Sequence, residues 1–128
     1  MGTNYLMNAA SGKLRVLVVE DEDLIAMFLE DMLTDMGHEV GAIAARIEDA
    51  VRVAETGSFD FAIVDVNLGG QPSYPVAESL TARGIPFVFA TGYGAAGLDP
   101  GYAGAATLQK PFTEAQLLAA LSLATASK

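Results

Sequence analysis

Apolar positions along this chain alternate between two textures. Short dense runs of branched residues are separated by longer stretches whose apolar positions recur every three or four residues. Leu14-Arg15-Val16-Leu17-Val18-Val19 is the first dense run, and it stops abruptly at acids. Such near-continuous hydrophobicity suits a parallel strand covered on both faces. From Asp23 to Met36 the stripe Leu24, Ile25, Phe28, Leu29, Met32, Leu33, Met36 predicts an amphipathic helix, with Gly37 as a left-handed stop. Met27, Met32 and Met36 are expected to be ordinary helix packing.

The alternation then repeats. Glu39 to Ala44 predicts a second strand. Ile47, Ala50, Val51 and Ala54 mark a short helix closed by Gly57. A third strand, Phe59 to Val64, ends at Asp65 and is followed by a turn-rich loop from Asn67 to Ser73. A helix near Val76 to Arg83 precedes a fourth strand, Pro86 to Ala90, and Ala105 to Gln109 gives a fifth. Thr113-Glu114-Ala115-Gln116 has the capping-box pattern ahead of a last helix carried by Leu117, Leu118 and Leu121. Glycines at 92, 94, 97, 101 and 104 weaken any helix between strands four and five, at about 1 kcal/mol each relative to alanine.

Five such βα units predict an open, doubly wound α/β sheet over residues 13–128, with residues 1–12 as a flexible leader. The pattern leaves no stretch for an output domain, so a stand-alone domain is expected. Composition narrows the function. At 52% hydrophobic residues the chain can bury a proper core, and its formal charge of −9 repels nucleic acid and anionic membrane surfaces alike. Without cysteine it has neither disulfides nor thiolate metal sites, which fits a cytoplasmic location. No apolar run approaches the ~18 residues that span a bilayer.

In open α/β sheets ligands sit outside the carboxyl ends of the strands. There strand one delivers Glu20, Asp21 and Glu22, strand three Asp65, strand four Thr91, and strand five Lys110 followed by Pro111. Crowded carboxylates repel one another, and a divalent cation removes the conflict. Mg²⁺ favours a few carboxylates, waters and a substrate phosphate. Asp65 is then a carboxylate nucleophile that needs no general base, while Lys110 and the Thr91 hydroxyl neutralise a transferred phosphoryl group. Taken singly, each of these residues is as well explained as a solvated loop or strand-end side chain. Their common register is what makes a site. His38, beyond the first helix, is expected to be a surface residue, and Asp23 a helix-start residue.

Val18-Val19-Glu20-Asp21-Glu22, Ile63-Val64-Asp65-Val66-Asn67, Ala90-Thr91-Gly92 and Gln109-Lys110-Pro111-Phe112 resemble, in order and spacing, the motifs of response-regulator receiver domains. The resemblance implies a flavodoxin-like (βα)5 three-layer sandwich with strand order 2-1-3-4-5. It implies Asp65 as phosphoacceptor and Mg²⁺ held by Asp21, Asp65 and the main-chain carbonyl of Asn67, with Glu20 holding a metal water. Lys110 would pair with phosphoryl oxygens, Thr91 would act as the switch, and the Lys110-Pro111 bond would be cis. The implied partners are a sensor histidine kinase or histidine phosphotransfer protein and a downstream protein, with no nucleic acid and no membrane, and the chain a monomer. Such a domain catalyses at most its own phosphorylation and dephosphorylation. Phe89-Ala90-Thr91-Gly92-Tyr93 is similar to the "FAT GUY" single-domain receivers of alphaproteobacteria, a group tied to general stress signalling.

Three positions depart from the family pattern. Glu20 stands where Asp is commoner. Gly69-Gly70 replaces a frequent proline, so that loop is expected to be freer. Thr107 takes the place of the usual switch aromatic, which leaves Tyr93 as the expected substitute. Two other functions would also use such a sheet. A haloacid dehalogenase-like phosphohydrolase would need an acid where Asn67 stands, to serve as general acid and base. A phosphate-independent interaction module would not need the complete acid, threonine and lysine set.

Overall fold

The computed structural model describes residues 12–92, 98–102 and 104–126, with side chains as far as Leu123. Tyr93, and residues 1–11 of the expected leader, lie outside the described residues. The elements are β1 (Arg15–Val19), α1 (Asp23–Asp35), β2 (Glu39–Ala44), α2 (Ile47–Thr56), β3 (Phe61–Asp65), a two-residue pair β4 (Asn67–Leu68) and β5 (Gln71–Pro72), α3 (Tyr74–Ala82), β6 (Phe87–Thr91), a 3₁₀ turn (Pro100–Tyr102), β7 (Thr107–Gln109) and α4 (Glu114–Ala126). The main sheet runs β2-β1-β3-β6-β7, and all its pairs are parallel. With β6 and β7 as the fourth and fifth strands, this is the expected 2-1-3-4-5 order.

Strand periodicity builds the three layers, because successive side chains face opposite sides of a sheet. Val16, Val18, Phe61, Ile63, Val88 and Ala90 pack against Leu29 and Leu33 of α1 and Leu117 and Leu121 of α4. The intervening Leu17, Val19, Ala62, Val64 and Phe89 pack against Ala50 and Ala54 of α2 and Val76, Ala77 and Leu80 of α3. The central strands therefore look continuously apolar in sequence although each side chain serves only one core.

Several expectations change. The β6–β7 crossover shows only the 3₁₀ turn among its described residues, so four α-helices are described where five βα units were expected. β3 begins at Phe61 rather than Phe59. Asp60 instead turns its carboxylate to the Arg15 amide (2.8 Å), and Asp65 becomes the last residue of the strand. On α1 the buried stripe is narrower than expected: Leu29, Met32 and Leu33 face the core together with Ala26, whereas Leu24 and Phe28 are 80% and 59% exposed, and Met27, expected to pack, is 58% exposed. Leu118 of α4 likewise points outward, leaving Leu117, Ala120 and Leu121 inside.

The capping box forms as expected, with Gln116 N–H donating to Thr113 Oγ1 (3.1 Å) and Thr113 N–H to Gln116 Oε1 (2.8 Å). His38 is half-buried, and its Nδ1 accepts the Leu14 amide at 3.1 Å. Burial lowers its pKa, in keeping with an acceptor nitrogen that must stay unprotonated. No described helix is long and apolar enough to cross a membrane.

Candidate functional site

The parallel ladders fix the site by running one residue past the strands. Glu20 N–H donates to Ala44 O at 3.0 Å beyond β1, and Lys110 N–H to Thr91 O at 2.8 Å beyond β7. Backbone pairing thus orients two side chains of opposite charge before they meet. Asp65 ends β3 between them and Thr91 ends β6, where its side chain is almost fully buried.

Each acid is held by a nearby backbone amide. Glu22 N–H donates to Glu20 Oε2 (3.1 Å), Asn67 N–H to Asp65 Oδ1 (3.1 Å) and Gly69 N–H to Asp21 Oδ2 (2.9 Å). The Lys110 ammonium bridges the remaining oxygens of two of them, 2.9 Å from Asp65 Oδ2 and 3.2 Å from Glu20 Oε1. The loop expected to be free is tied down. Gly69 and Gly70 have φ of +56° and +86°, the left-handed pair that a tight two-residue hairpin requires, and Asn67 Oδ1 accepts the Gly70 amide (2.9 Å). That turn is what aims the Gly69 amide at Asp21. The Lys110-Pro111 bond is cis, as expected.

Carboxylate oxygens of Glu20, Asp21 and Asp65 lie within 4.8 Å of one another. Three carboxylates against one ammonium leave two negative charges uncompensated in a largely buried site. The cost falls on Glu20. Burial first, and then the Asp65 charge, push its carboxyl up to about 7 from 4.5, against the downward pull of the Glu22 amide and Lys110. Burial pulls the Lys110 ammonium down, but hydrogen bonding and attraction to Asp65 and then Glu20 outweigh it, and the net shift is upward. An oxygen-rich, doubly negative cluster with one exposed member fits a hard divalent cation that keeps several of its waters. Beside Asp65 a cavity of about 280 Å³ is lined by Asn67, Tyr74, Thr91 and Asp99.

The sequence-selected Glu20, Asp21, Asp65 and Lys110 converge directly. Thr91 and Asn67 line the adjoining cavity. The structure adds Ser73, which is fully buried. Its hydroxyl donates to the Asp65 main-chain oxygen (2.5 Å) and makes no cap bond to α3. A serine ahead of a helix signals an N-cap, and no local pattern reveals that the hydroxyl turns to a strand instead. Tyr74 and Asp99 were missed for the same reason, since their places in the cavity wall depend on the fold.

Sheet order and site together define a class: a doubly wound α/β domain that gathers acids, a threonine and a lysine at one carboxyl edge. Within that class, the chain belongs to the response regulator receiver family, whose model matches residues 16–122. Among solved structures it resembles SdrG from Sphingomonas melonis Fr1, with 46% identity, a TM-score of 0.76, and coverage of 84% of this chain and 92% of that one. The PhyR receiver domain of Erythrobacter litoralis is 28% identical, with a TM-score of 0.77, over 88% of this chain and 90% of that chain. The regulatory protein PdtaR of Mycobacterium tuberculosis is 35% identical over 116 residues, 86% of this chain and 56% of that protein. The chain spans about half the length of the curated relatives it matches. It is thus a receiver domain of two-component signalling, a family that binds Mg²⁺ at an acidic pocket.

Proposed function

We propose that this chain accepts a phosphoryl group on Asp65 from a histidine kinase or histidine phosphotransfer protein and passes the signal to a protein partner. One observation carries the reading: the Lys110 ammonium stands 2.9 Å from Asp65 Oδ2 within the Glu20–Asp21–Asp65 cluster. Asp65 supplies the attacking carboxylate oxygen. A bond forms from that oxygen to phosphorus as the bond from phosphorus to the donor imidazole nitrogen breaks, and the product is an acyl phosphate. Asp21, Asp65 and the Asn67 carbonyl would hold Mg²⁺, with Glu20 on a bound water. When bound, the metal supplies neutralising charge to the transferring oxygens. Lys110 then exchanges its bond to the carboxylate for phosphoryl oxygens, and Thr91 borders the cavity that receives them.

The exposed Leu24, Met27 and Phe28 suit a protein donor. Phe28 and Ile25 border an apolar groove of about 310 Å³ that reaches Lys110, Pro111 and Phe112, beside the acceptor. Glu22, Asp23, Glu30 and Asp31 flank this face, so it repels nucleic acid and suits a protein helix. A role in stress signalling draws support from kinship with PhyR, one form of which is described as a stress response regulator. Asn67 weighs against a phosphohydrolase, since an amide cannot relay the proton.

The test is intact mass after incubation with Mg²⁺ and acetyl phosphate. The wild type should gain about 80 Da, the mass of one phosphoryl group, and Asp65→Asn nothing. An equal gain in the variant overturns the assignment of the acceptor.

A further inference from the structure

Thr107 leaves β7 without a ring beside its ladder partner Phe89, and Tyr74 and Tyr102 pack on Phe89 from neighbouring segments instead. Tyr74, the first residue of α3, stacks on Tyr102 with ring centroids 4.5 Å apart and planes 8° from parallel. Phe89 meets both rings edge-on, at 5.7 Å and 5.6 Å. The Tyr74 hydroxyl oxygen accepts the Asp99 amide at 2.7 Å. Two independent contacts therefore fasten residues 99–102 to Tyr74. Its neighbour Ser73 is fastened in turn to the main chain of Asp65. Tyr74 and Asp99 also line the cavity beside Asp65 and Thr91, and the charged residues that line it, Asp65 and Asp99, are both acidic.

We propose that Tyr74 is a latch that holds residues 98–102 against the acceptor loop, and that Asp99 is the group through which a phosphoryl on Asp65 releases it. The inference rests on Asp65 being the acceptor. A phosphoryl group brings a charge of about −1.5 to −2 into a cavity that Asp99, itself acidic, also lines. Lys110 compensates the near side, where it contacts Asp65 and Glu20. Asp99 then shares that cavity with a like charge, and the repulsion is borne by the Asp99 amide bond to Tyr74 and by the Tyr74–Tyr102 stack. The latch is closed in the unmodified protein and open in the phosphorylated one.

The test follows hydrogen exchange of the Asp99 amide by NMR in the full chain, before and during incubation with Mg²⁺ and excess acetyl phosphate. Intact mass is read on the same sample. Exchange should accelerate at least fivefold when the mass rises, since one neutral hydrogen bond corresponds to about that factor. Tyr74→Phe keeps the stack and loses the acceptor oxygen, so its exchange should already be about fivefold faster without phosphodonor. Asp99→Asn keeps the amide and removes the charge, and should lose at least half of the phosphorylation-dependent acceleration. A mass gain with unchanged Asp99 exchange overturns the latch and leaves Asp65 standing as acceptor. Unaltered exchange in Tyr74→Phe overturns it as well. Absence of any mass gain overturns the latch together with the acceptor assignment.

Discussion

Asp65 stands between two walls of opposite character. On one side Glu20, Asp21 and Lys110 form an ionic wall with more negative than positive charge, where burial and then the Asp65 charge drive Glu20 up to about 7. On the other, Tyr74, Phe89 and Tyr102 form a neutral wall of stacked and edge-on rings. The ionic wall is unsatisfied by itself and becomes favourable when a cation or a transferred anion arrives. The aromatic wall is already satisfied, each ring pair contributing about 0.5–1.5 kcal/mol beyond burial. The comparison separates two tasks. Chemistry belongs on the wall with stored charge imbalance, and the response belongs on the wall whose contacts have something to lose.

Four measurements break or sharpen this division. The largest effect should come from Phe89→Ala, which removes a fully buried ring touching Phe87, Tyr74 and Tyr102. Urea unfolding should show a loss of about 3–5 kcal/mol. A loss below 1 kcal/mol would mean that the aromatic wall is not an organised element. Lys110→Ala should slow phosphoryl acceptance from acetyl phosphate by about 10²–10³-fold, the range for loss of one transition-state donor. Unchanged kinetics would remove the ionic wall from the chemistry.

A pH series of the metal-free protein comes next in size. Native Glu20 holds its proton to about 7, whereas the unfolded chain releases it near 4.5. Between those values the native state binds more protons, so stability present below pH 4.5 is lost as pH rises towards 7. The decline is on the order of 1 kcal/mol per pKa unit, and Glu20→Gln should flatten it. An equally steep decline in the variant would place the charge conflict elsewhere. The smallest effect lies outside both walls. His38 has a lowered pKa through burial, so the unfolded chain binds its proton first. Stability should fall slightly as pH drops through 6.5 and the Leu14 contact is lost, a slope that His38→Gln should remove. If acidification near pH 6 perturbed the Asp65 amide in an NMR titration, the site would be less insulated than the comparison holds.

Much of this was legible in the residue pattern. Val16–Val19 and Phe61–Val64 identify central strands because parallel strands buried on both faces admit little else. Asp65, Thr91 and Lys110 were readable as a set because strand ends fall where the dense runs stop. Thr113 and Gln116 were readable because a capping box closes within four residues. The errors have a common cause. Leu24, Phe28 and Leu118 fit a helical stripe, yet whether a helix turns that edge inward depends on its rotation against the sheet, which local periodicity fixes only loosely.

The order of apolar and polar residues by itself determined the alternating elements, the sheet class and the edge at which the acids, threonine and lysine would meet. Those features follow from short-range periodicity and chain connectivity. Only the tertiary structure decided that the Gly69 amide holds Asp21, that Ser73 abandons a cap to hold Asp65, and that Tyr74 receives Asp99 and stacks on Tyr102. Each of the first and last contacts joins residues 25 or more positions apart. Such partners are chosen by how the layers pack, and no local sequence preference encodes that choice.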